Sequence, residues 1–494
     1  MDFVVDSVAV FDWVLLSFVL LGVAFFVSPL GNRYETQATC PDDSGLEEGN
    51  KPAEPVVSKP RVRLYYLDNI KSVLTEVVLL FHVSSLMKQH NGGGPVWDAD
   101  GVPLGAYVNS SAGQFATGFQ HGFSAFFMPV FFFISGCFTP SSYRKKGAFG
   151  FLKDKFIRLG IPVLLVIFVL SPLNRAVNSV STSTIPGNNG FSHDWFFDSY
   201  YGFNLYFASA GPCWFVRALL VFNCMYALIQ KCCKVQGPSE PWSAKKSLLV
   251  YLSLFFIVFV LTLLLMTAEA SGKLSWASGF GGMWKTFFQT PNLSFANMAM
   301  FGLGCVAKDN LWLTSVTELG KKTRVVGTLL FFGILIGCIL QQAISPGDSD
   351  TFLQLDSFPL PVSSSTNVTF TAALKRSLGT SFGPPFFTFV LCPLCIVSAF
   401  CLMNFTNKFT QFLSANAYAV YFLHMVFLPI GMLLAWYMTS AKYHIPMEWT
   451  PMQNTEFAAG WMWLMLIFQY IFITLVTWSS AYVMRKIPGA TRVF

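Results

Sequence analysis

Eleven apolar runs punctuate this chain, near residues 8–30, 64–87, 117–138, 157–172, 213–231, 247–267, 292–307, 325–342, 384–405, 413–436 and 459–484. Hydrocarbon offers backbone amides no water, so a segment inside it must close its own hydrogen bonds as a helix. About 20 apolar residues complete the crossing. The expected fold class is therefore an all-α integral membrane protein: ten core helices over residues 64–484, preceded by one N-terminal transmembrane anchor within residues 1–30. The runs at 157–172 and 292–307 are short and fit tilted or partly re-entrant segments. With 53% hydrophobic and only 12% charged residues, the composition excludes a soluble protein with a large core. The first run lacks a basic n-region, because Asp2, Asp6 and Asp12 precede or open it, and no small-residue cleavage site follows. It reads as a retained anchor rather than a cleaved signal peptide. Residues 31–63 are rich in Pro, Glu and Asp and read as a flexible cytosolic linker, and residues 485–494 as a short cytosolic tail.

Charge sets the orientation. If the linker is cytosolic and the runs alternate, 23 Lys and Arg fall on the cytosolic side and 7 on the far side, with Lys71 and Arg217 of the 32 left inside membrane segments. That bias follows the positive-inside rule and places the N-terminus outside and the C-terminus in the cytosol. Four sizeable loops then face outward, near 88–116, 173–212, 268–291 and 343–383. Asn109 and Asn367 open glycosylation sequons in those loops, whereas Asn404 opens one on the cytosolic side and should stay bare. No internal repeat supports an inverted-repeat transporter. No nucleic-acid module or glycine-rich P-loop is present, so the partners implied are the lipid bilayer and small molecules, not nucleic acid. The eleven cysteines lie in or beside apolar segments and do not form a secreted disulfide framework.

The run from Leu64 to Met87 differs from the others in carrying Asp68, Lys71, Glu76 and His82. At about 100° per residue, Asp68, Lys71, Thr75, Val78, His82 and Ser85 share one stripe, and His82 lies roughly 16 Å beyond Lys71 along the axis. Such groups are costly in hydrocarbon and face a protein interior or a water-filled cavity. A polar seam joining helices and a reactive site are both consistent with the stripe.

Other constellations carry the same pair of readings. The run 117–138 includes Ser135-Gly136, which lets backbones approach closely. Arg144, Lys145, Lys146, Lys153, Lys155 and Arg158 follow it, balanced only by Asp154. Lys155 and Arg158 share a face of an interfacial helix, and the cluster is either ordinary topological charge or a cradle for a phosphorylated cytosolic ligand. Trp214 and Arg217 open the run at 213–231 from the outside. They are either an interfacial Trp with a snorkelling Arg, or a pair in which Arg217 orients an anionic or sugar acceptor at the outer mouth. In LSANAYAVYFLHMVFLP, Tyr421 and His424 lie three apart near mid-membrane, with Asn416 and Tyr418 nearer the cytosol. Cys392 and Cys395 read as packing, Cys232 and Cys233 as sites open to palmitoylation, and no cluster has metal-ligand spacing.

Taken in order, these segments resemble membrane-bound acyltransferase family 3. YLDNIK with a histidine eleven residues after Lys71 resembles the family's opening Leu-Asp-x-Leu-Arg helix and its Arg-x10-His motif. FFFISGCF and then KDKFIRLGIP resemble its Ser-Gly segment and its Arg-x-x-Arg-Leu stretch. GPCWFVRALL, FGLGCVAKDNLWL and LSANAYAVYFLHMVFLP resemble three later landmarks, and the similarity covers residues 61–484. Two positions depart from the pattern: Lys71 and Lys155 stand where the family has arginine, keeping charge but losing the bidentate fork.

The resemblance implies an enzyme that transfers an acyl group other than an aminoacyl group. The donor would be cytosolic acyl-CoA, most simply acetyl-CoA, used as a substrate with no permanently bound cofactor. The acceptor would be a hydroxyl, commonly of a carbohydrate or lipid-linked molecule, on the far side of the membrane. By that resemblance His82 is the catalytic base, and Lys71 stabilises charge near the thioester or holds the CoA end. Lys155 and Arg158 bind CoA phosphates, and Ser135, Tyr421 and His424 line the site. The main rival is a transporter or flippase of a polar or lipid-linked molecule, with the seam lining its pathway; another is an inactive receptor or scaffold.

Overall fold

The structure is a computed structural model that describes residues 64–88, 111–124, 126–166, 170, 214–233, 240–270, 291–344, 370–443 and 455–493. The N-terminal anchor, the linker and the sequons at Asn109 and Asn367 lie outside the described residues. Regular structure among the described residues is helical throughout. The helices are α1 (Tyr65–Lys88), α2 (Ser111–Ser124), α3 (Phe127–Lys155), α4 (Ile161–Leu165), α5 (Trp214–Cys233), α6 (Ala244–Ala270), α7 (Pro291–Asp309), α8 (Trp312–Glu318), α9 (Lys321–Ile344), α10 (Phe370–Met403), α11 (Lys408–Tyr443) and α12 (Thr455–Met484). A π-helical turn, Phe156–Gly160, joins α3 to α4.

Seven helical segments among the described residues are long and apolar enough to cross a membrane: Gly118–Leu165, Trp214–Cys233, Ala244–Ala268, Lys321–Leu340, Ser381–Met403, Lys408–Leu428 and Leu466–Met484. The protein is a multi-pass, all-α membrane protein. α1 is not among the seven, since Asp68, Lys71 and Glu76 interrupt its apolar character. It is the central helix instead, packed against α2, α10, α11 and α12 and touching α3. α6 and α9 show the opposite pattern, turning Leu249, Phe256 and Leu264, and Val326, Leu329 and Ile336, outward as a lipid-facing surface requires.

Three boundaries differ from the sequence reading. The run at 117–138 is broken, because the chain turns at Phe126 (φ −134°) between α2 and α3. The basic stretch after it is not a separate helix but a continuation of the same one: α3 runs past Pro140 to Lys155, interrupted at Gly147, where φ is +66°. Part of the outer stretch expected at 343–383 is also helical, since α10 begins at Phe370.

The basic helix ends gather at one end of the bundle. Arg144 makes a two-pronged pair with Asp309 at 2.7 and 3.2 Å, joining α3 to the end of α7. The Trp242 amide donates to Asn310 Oδ1 at 2.8 Å, and Arg324 sits 5.1 Å over the Phe400 ring. Asn69 donates to the carbonyls of Met403 and Phe405, both at 2.7 Å, satisfying acceptors that the end of α10 leaves open. Asn407 Oδ1 accepts from the Thr410 amide at 2.8 Å and Thr410 Oγ1 from the Asn407 amide at 3.0 Å, a reciprocal cap that starts α11. α3 and α7 cross at Gly136 and Gly304, where a Cβ on either would collide with the other helix's backbone, at Phe301 O and Phe133 O respectively. Small residues at that point give the two helices a backbone-to-backbone contact.

Candidate active site

One cavity of about 440 Å³ opens near the basic end, and it collects residues that lie far apart in the chain. Lys71 and Thr75 of α1, Ser135 of α3, Lys155, Arg158 of the π-turn and Tyr421 of α11 all line it. Five of the residues singled out in the sequence thus meet around one space: Lys71, Ser135, Lys155, Arg158 and Tyr421. The π-turn carries the chain directly from Lys155 to Arg158, which keeps both cations on the same wall. Tyr418 Oη donates to the Arg158 carbonyl at 2.7 Å and ties the turn to α11.

The electrostatics are one-sided. Lys71, Lys155, Arg158 and Arg485 line the cavity, and no Asp or Glu is among the lining residues. Asp68 lies just off it and pairs with Lys71 at 2.8 Å across one helical turn. The Lys155 ammonium rests 5.3 Å over the Phe151 ring, and Lys71 sits 5.6 Å from the centre of the Phe138 ring. The wall therefore suits an anion with several charges, and it contains groups that could hold a phosphorylated ligand but none typical of a hard metal site.

His82 and His424 lie beyond this cavity. Their rings stack at 5.1 Å between centroids with 29° between planes. α1 and α11 run side by side in the same direction, so the pair sits further from the basic end than Lys71 and Tyr418 do. Tyr421 stands between the two zones, lining the cavity while its ring centre lies 5.6 Å from that of His424. His424 is fully buried, and its Nδ1 lies at hydrogen-bond distance from the Tyr421 carbonyl. A carbonyl only accepts, so Nδ1 carries the proton of the neutral ring, and Nε2 is left with no partner among the described residues. His82 keeps part of its surface open.

Trp214 and Arg217 are not part of the cavity wall. Trp214 packs near Phe132, with ring centres 6.2 Å apart. Arg217 is only 6% exposed, so the snorkelling reading fails: the guanidinium lies inside the bundle. Their neighbour Phe215 does reach the cavity and packs on Tyr421 at 5.8 Å.

The sequence reading gave no role to several residues that the structure brings in. Arg485, Thr491 and Val493 line the cavity from beyond α12, together with Ser414 and Tyr418 of α11. Arg485 is one of the 23 cytosolic Lys and Arg of the charge bias, where a basic residue after an apolar helix carries no further signal. Glu76 faces away from the histidine stripe and accepts hydrogen bonds from Tyr470 at 3.0 Å, Thr474 at 3.4 Å and the Trp478 indole, all on α12. Those donors are spaced four residues apart, a signal visible only once Glu76 is known to face them.

The fold is a membrane helical bundle with a central polar helix, an electropositive cavity at its basic end and a stacked histidine pair deeper inside. The profile of acyltransferase family 3, described as an acyltransferase domain, matches residues 64–484. The chain belongs to that family and is a membrane acyltransferase. No curated protein and no solved structure matched it.

Proposed function

We propose that the protein moves an acyl group, most simply acetyl, from cytosolic acyl-CoA to a hydroxyl acceptor, a carbohydrate or lipid-linked molecule, on the far side of the membrane. The observation that carries this reading is the gathering of Lys71, Lys155, Arg158, Ser135 and Tyr421 around one electropositive cavity, at the foot of the helix that also bears His82. Phosphates of the donor enter at the basic end, held by Lys155 and Arg158. The thioester reaches toward the histidine pair past Tyr421.

Lys71 lies on α1 roughly 16 Å from His82, too far to stabilise charge at the reacting carbonyl. Of its two expected roles, that separation favours holding the CoA end. In the transfer itself, His82 takes the proton of the acceptor hydroxyl as its oxygen attacks the thioester carbonyl carbon. The C–O bond forms, the C–S bond breaks, and the departing thiolate takes a proton to leave as free CoA. An imidazole suits this role because its ordinary pKa, about 6.5, lies near neutral pH.

The same reading sets the topology. The basic end faces the cytosol, as the positive-inside rule requires, with the N-terminus outside and the C-terminus in the cytosol. Residues 1–30 form an anchor, 31–63 a cytosolic linker, 64–484 the ten-helix core and 485–494 the tail. Donor access is then from the cytosol and acceptor access from the opposite face.

The test is to supply membranes containing the protein with radiolabelled acetyl-CoA, wild type beside His82→Ala. Label entering a glycan, lipid or protein acceptor only with wild type is expected. If no histidine-dependent label appears with acetyl-CoA or longer acyl-CoAs, the transfer reading is overturned and the transporter reading takes its place.

A further inference from the structure

The segment after α12 turns back on the bundle. Lys486 and Ile487 continue in tight turns, with amides donating to Val483 O at 2.9 Å and Met484 O at 3.1 Å. Gly489 adopts φ +85°, a left-handed conformation that costs glycine little and other residues more. The 3-10 turn Ala490–Arg492 follows, closed by Val493 N to Ala490 O at 3.0 Å. This path sets Thr491 and Val493 against the cavity that holds Lys71, Lys155 and Arg158.

Arg485 lies at the start of the same segment and lines the cavity too. Among the described residues its guanidinium reaches Asn416 Oδ1 from Nη1 at 3.5 Å, a long contact. Its Nε is buried with no hydrogen-bond partner among the described residues. A guanidinium carries five donors, and leaving a buried one unmatched is costly. Lys71 is already paired with Asp68, while Arg485 shares a wall with Lys155 and Arg158 and no lining carboxylate. Arg485 thus brings a further cation to a cavity lined by no carboxylate, and an anion held there would match it.

We infer that Arg485 and the turn Gly489–Val493 form the fourth wall of the donor site, with Arg485 binding a phosphate of the adenosine 3′,5′-bisphosphate portion of CoA and the turn bounding it. This rests on the acyl-CoA reading above and adds to it. The tail becomes part of the binding site, and the phosphates are gripped from α12 as well as from the π-turn. The guanidinium suits a phosphate because its planar fork can donate two bonds at once.

The experiment measures equilibrium binding of coenzyme A, and separately of adenosine 3′,5′-bisphosphate, to the full chain in lipid nanodiscs. Arg485→Gln should weaken both by about tenfold or more, the scale of a lost charge-assisted hydrogen bond. Arg485→Lys should recover part of that loss, and Lys486→Gln, which removes a neighbouring charge outside the cavity, should bind as wild type. Thr491→Trp, at an exposed position, should obstruct both ligands without unfolding the chain. If Lys155→Ala with Arg158→Ala weakens binding while Arg485→Gln and Thr491→Trp bind normally, the donor reading stands and the fourth wall is refuted. If wild type binds neither ligand, the donor reading itself falls and takes this inference with it. An equal loss in Arg485→Gln and Lys486→Gln would reduce Arg485 to general surface charge and also overturn the assignment.

Discussion

His82 and His424 come from helices whose positions in the chain are more than 300 residues apart, yet their imidazoles stack at 5.1 Å. The Tyr421 carbonyl orients the His424 ring, and that ring braces one face of His82. His82→Ala should abolish transfer, a loss of about 10²–10⁴ in kcat, as expected for a general base. His424→Ala should lower kcat by less and leave the KM for acyl-CoA unchanged, because neither imidazole lines the cation cavity. Steady-state kinetics with the donor varied distinguish the two, and a His424 variant with unaltered kcat would show that the stacking is only packing.

Lys155→Ala with Arg158→Ala should raise the KM for acyl-CoA more than the KM for the acceptor. The donor KM of wild type should also climb with salt, since screening weakens an exposed charge site. A donor KM indifferent to both the substitutions and ionic strength would return the cluster to a purely topological role.

The α3–α7 crossing predicts a stability effect with no direct catalytic component. Gly136→Ala and Gly304→Ala each push a methyl into opposing backbone, and overpacking of this kind costs about 1–3 kcal/mol. Gly302→Ala, on the same helix with open space around it, should be near neutral. Thermal unfolding in detergent of the three variants checks the contrast.

Glu76 joins α1 to α12 through three donors, and bonds to a charged group are worth about 1.5–3 kcal/mol each. Glu76→Ala should therefore lower thermal stability markedly. Glu76→Gln should fall between, since the amide keeps an acceptor but turns a donor toward Tyr470, Thr474 or Trp478. Equal stability of all three proteins would count against the clamp.

The orientation has its own test. Cys232, Cys233 and Cys401 are exposed near the basic end. A membrane-impermeant maleimide should label them only when it reaches the cytosolic face. Labelling of any of these three from outside in intact cells would invert the proposed topology.

Much of this arrangement was legible in the one-dimensional pattern. The period of α1 placed Lys71, Thr75 and His82 on one face, and the cavity and histidine pair lie along that face. The three-residue spacing of Lys155 and Arg158 anticipated a shared wall, although the turn between them is π-helical. What the pattern could not carry was long-range. His82 and His424 were both legible as residues of one site, but nothing near either announces that their rings stack, and nothing near Arg485 distinguishes it from the other basic residues that end apolar helices. The break at Phe126 falls within an apolar, aromatic stretch with no Pro or Gly at the turn itself, so the run read as continuous. The sequence left Arg217 between a snorkelling terminus and an acceptor-orienting group, because burial depends on neighbours from other helices.

α1 is unbroken from Tyr65 to Lys88, which makes it a ruler. The roughly 16 Å of helix between Lys71 and His82 cannot shorten without melting turns, so under the proposed acyl transfer charge recognition and chemistry would be held at a fixed separation. A donor would then be selected by reach as well as by charge: it would need an anionic head, a slender arm long enough to span the interval, and its reactive bond at the far tip. A compact phosphorylated metabolite would satisfy the cations and fall short of the histidines.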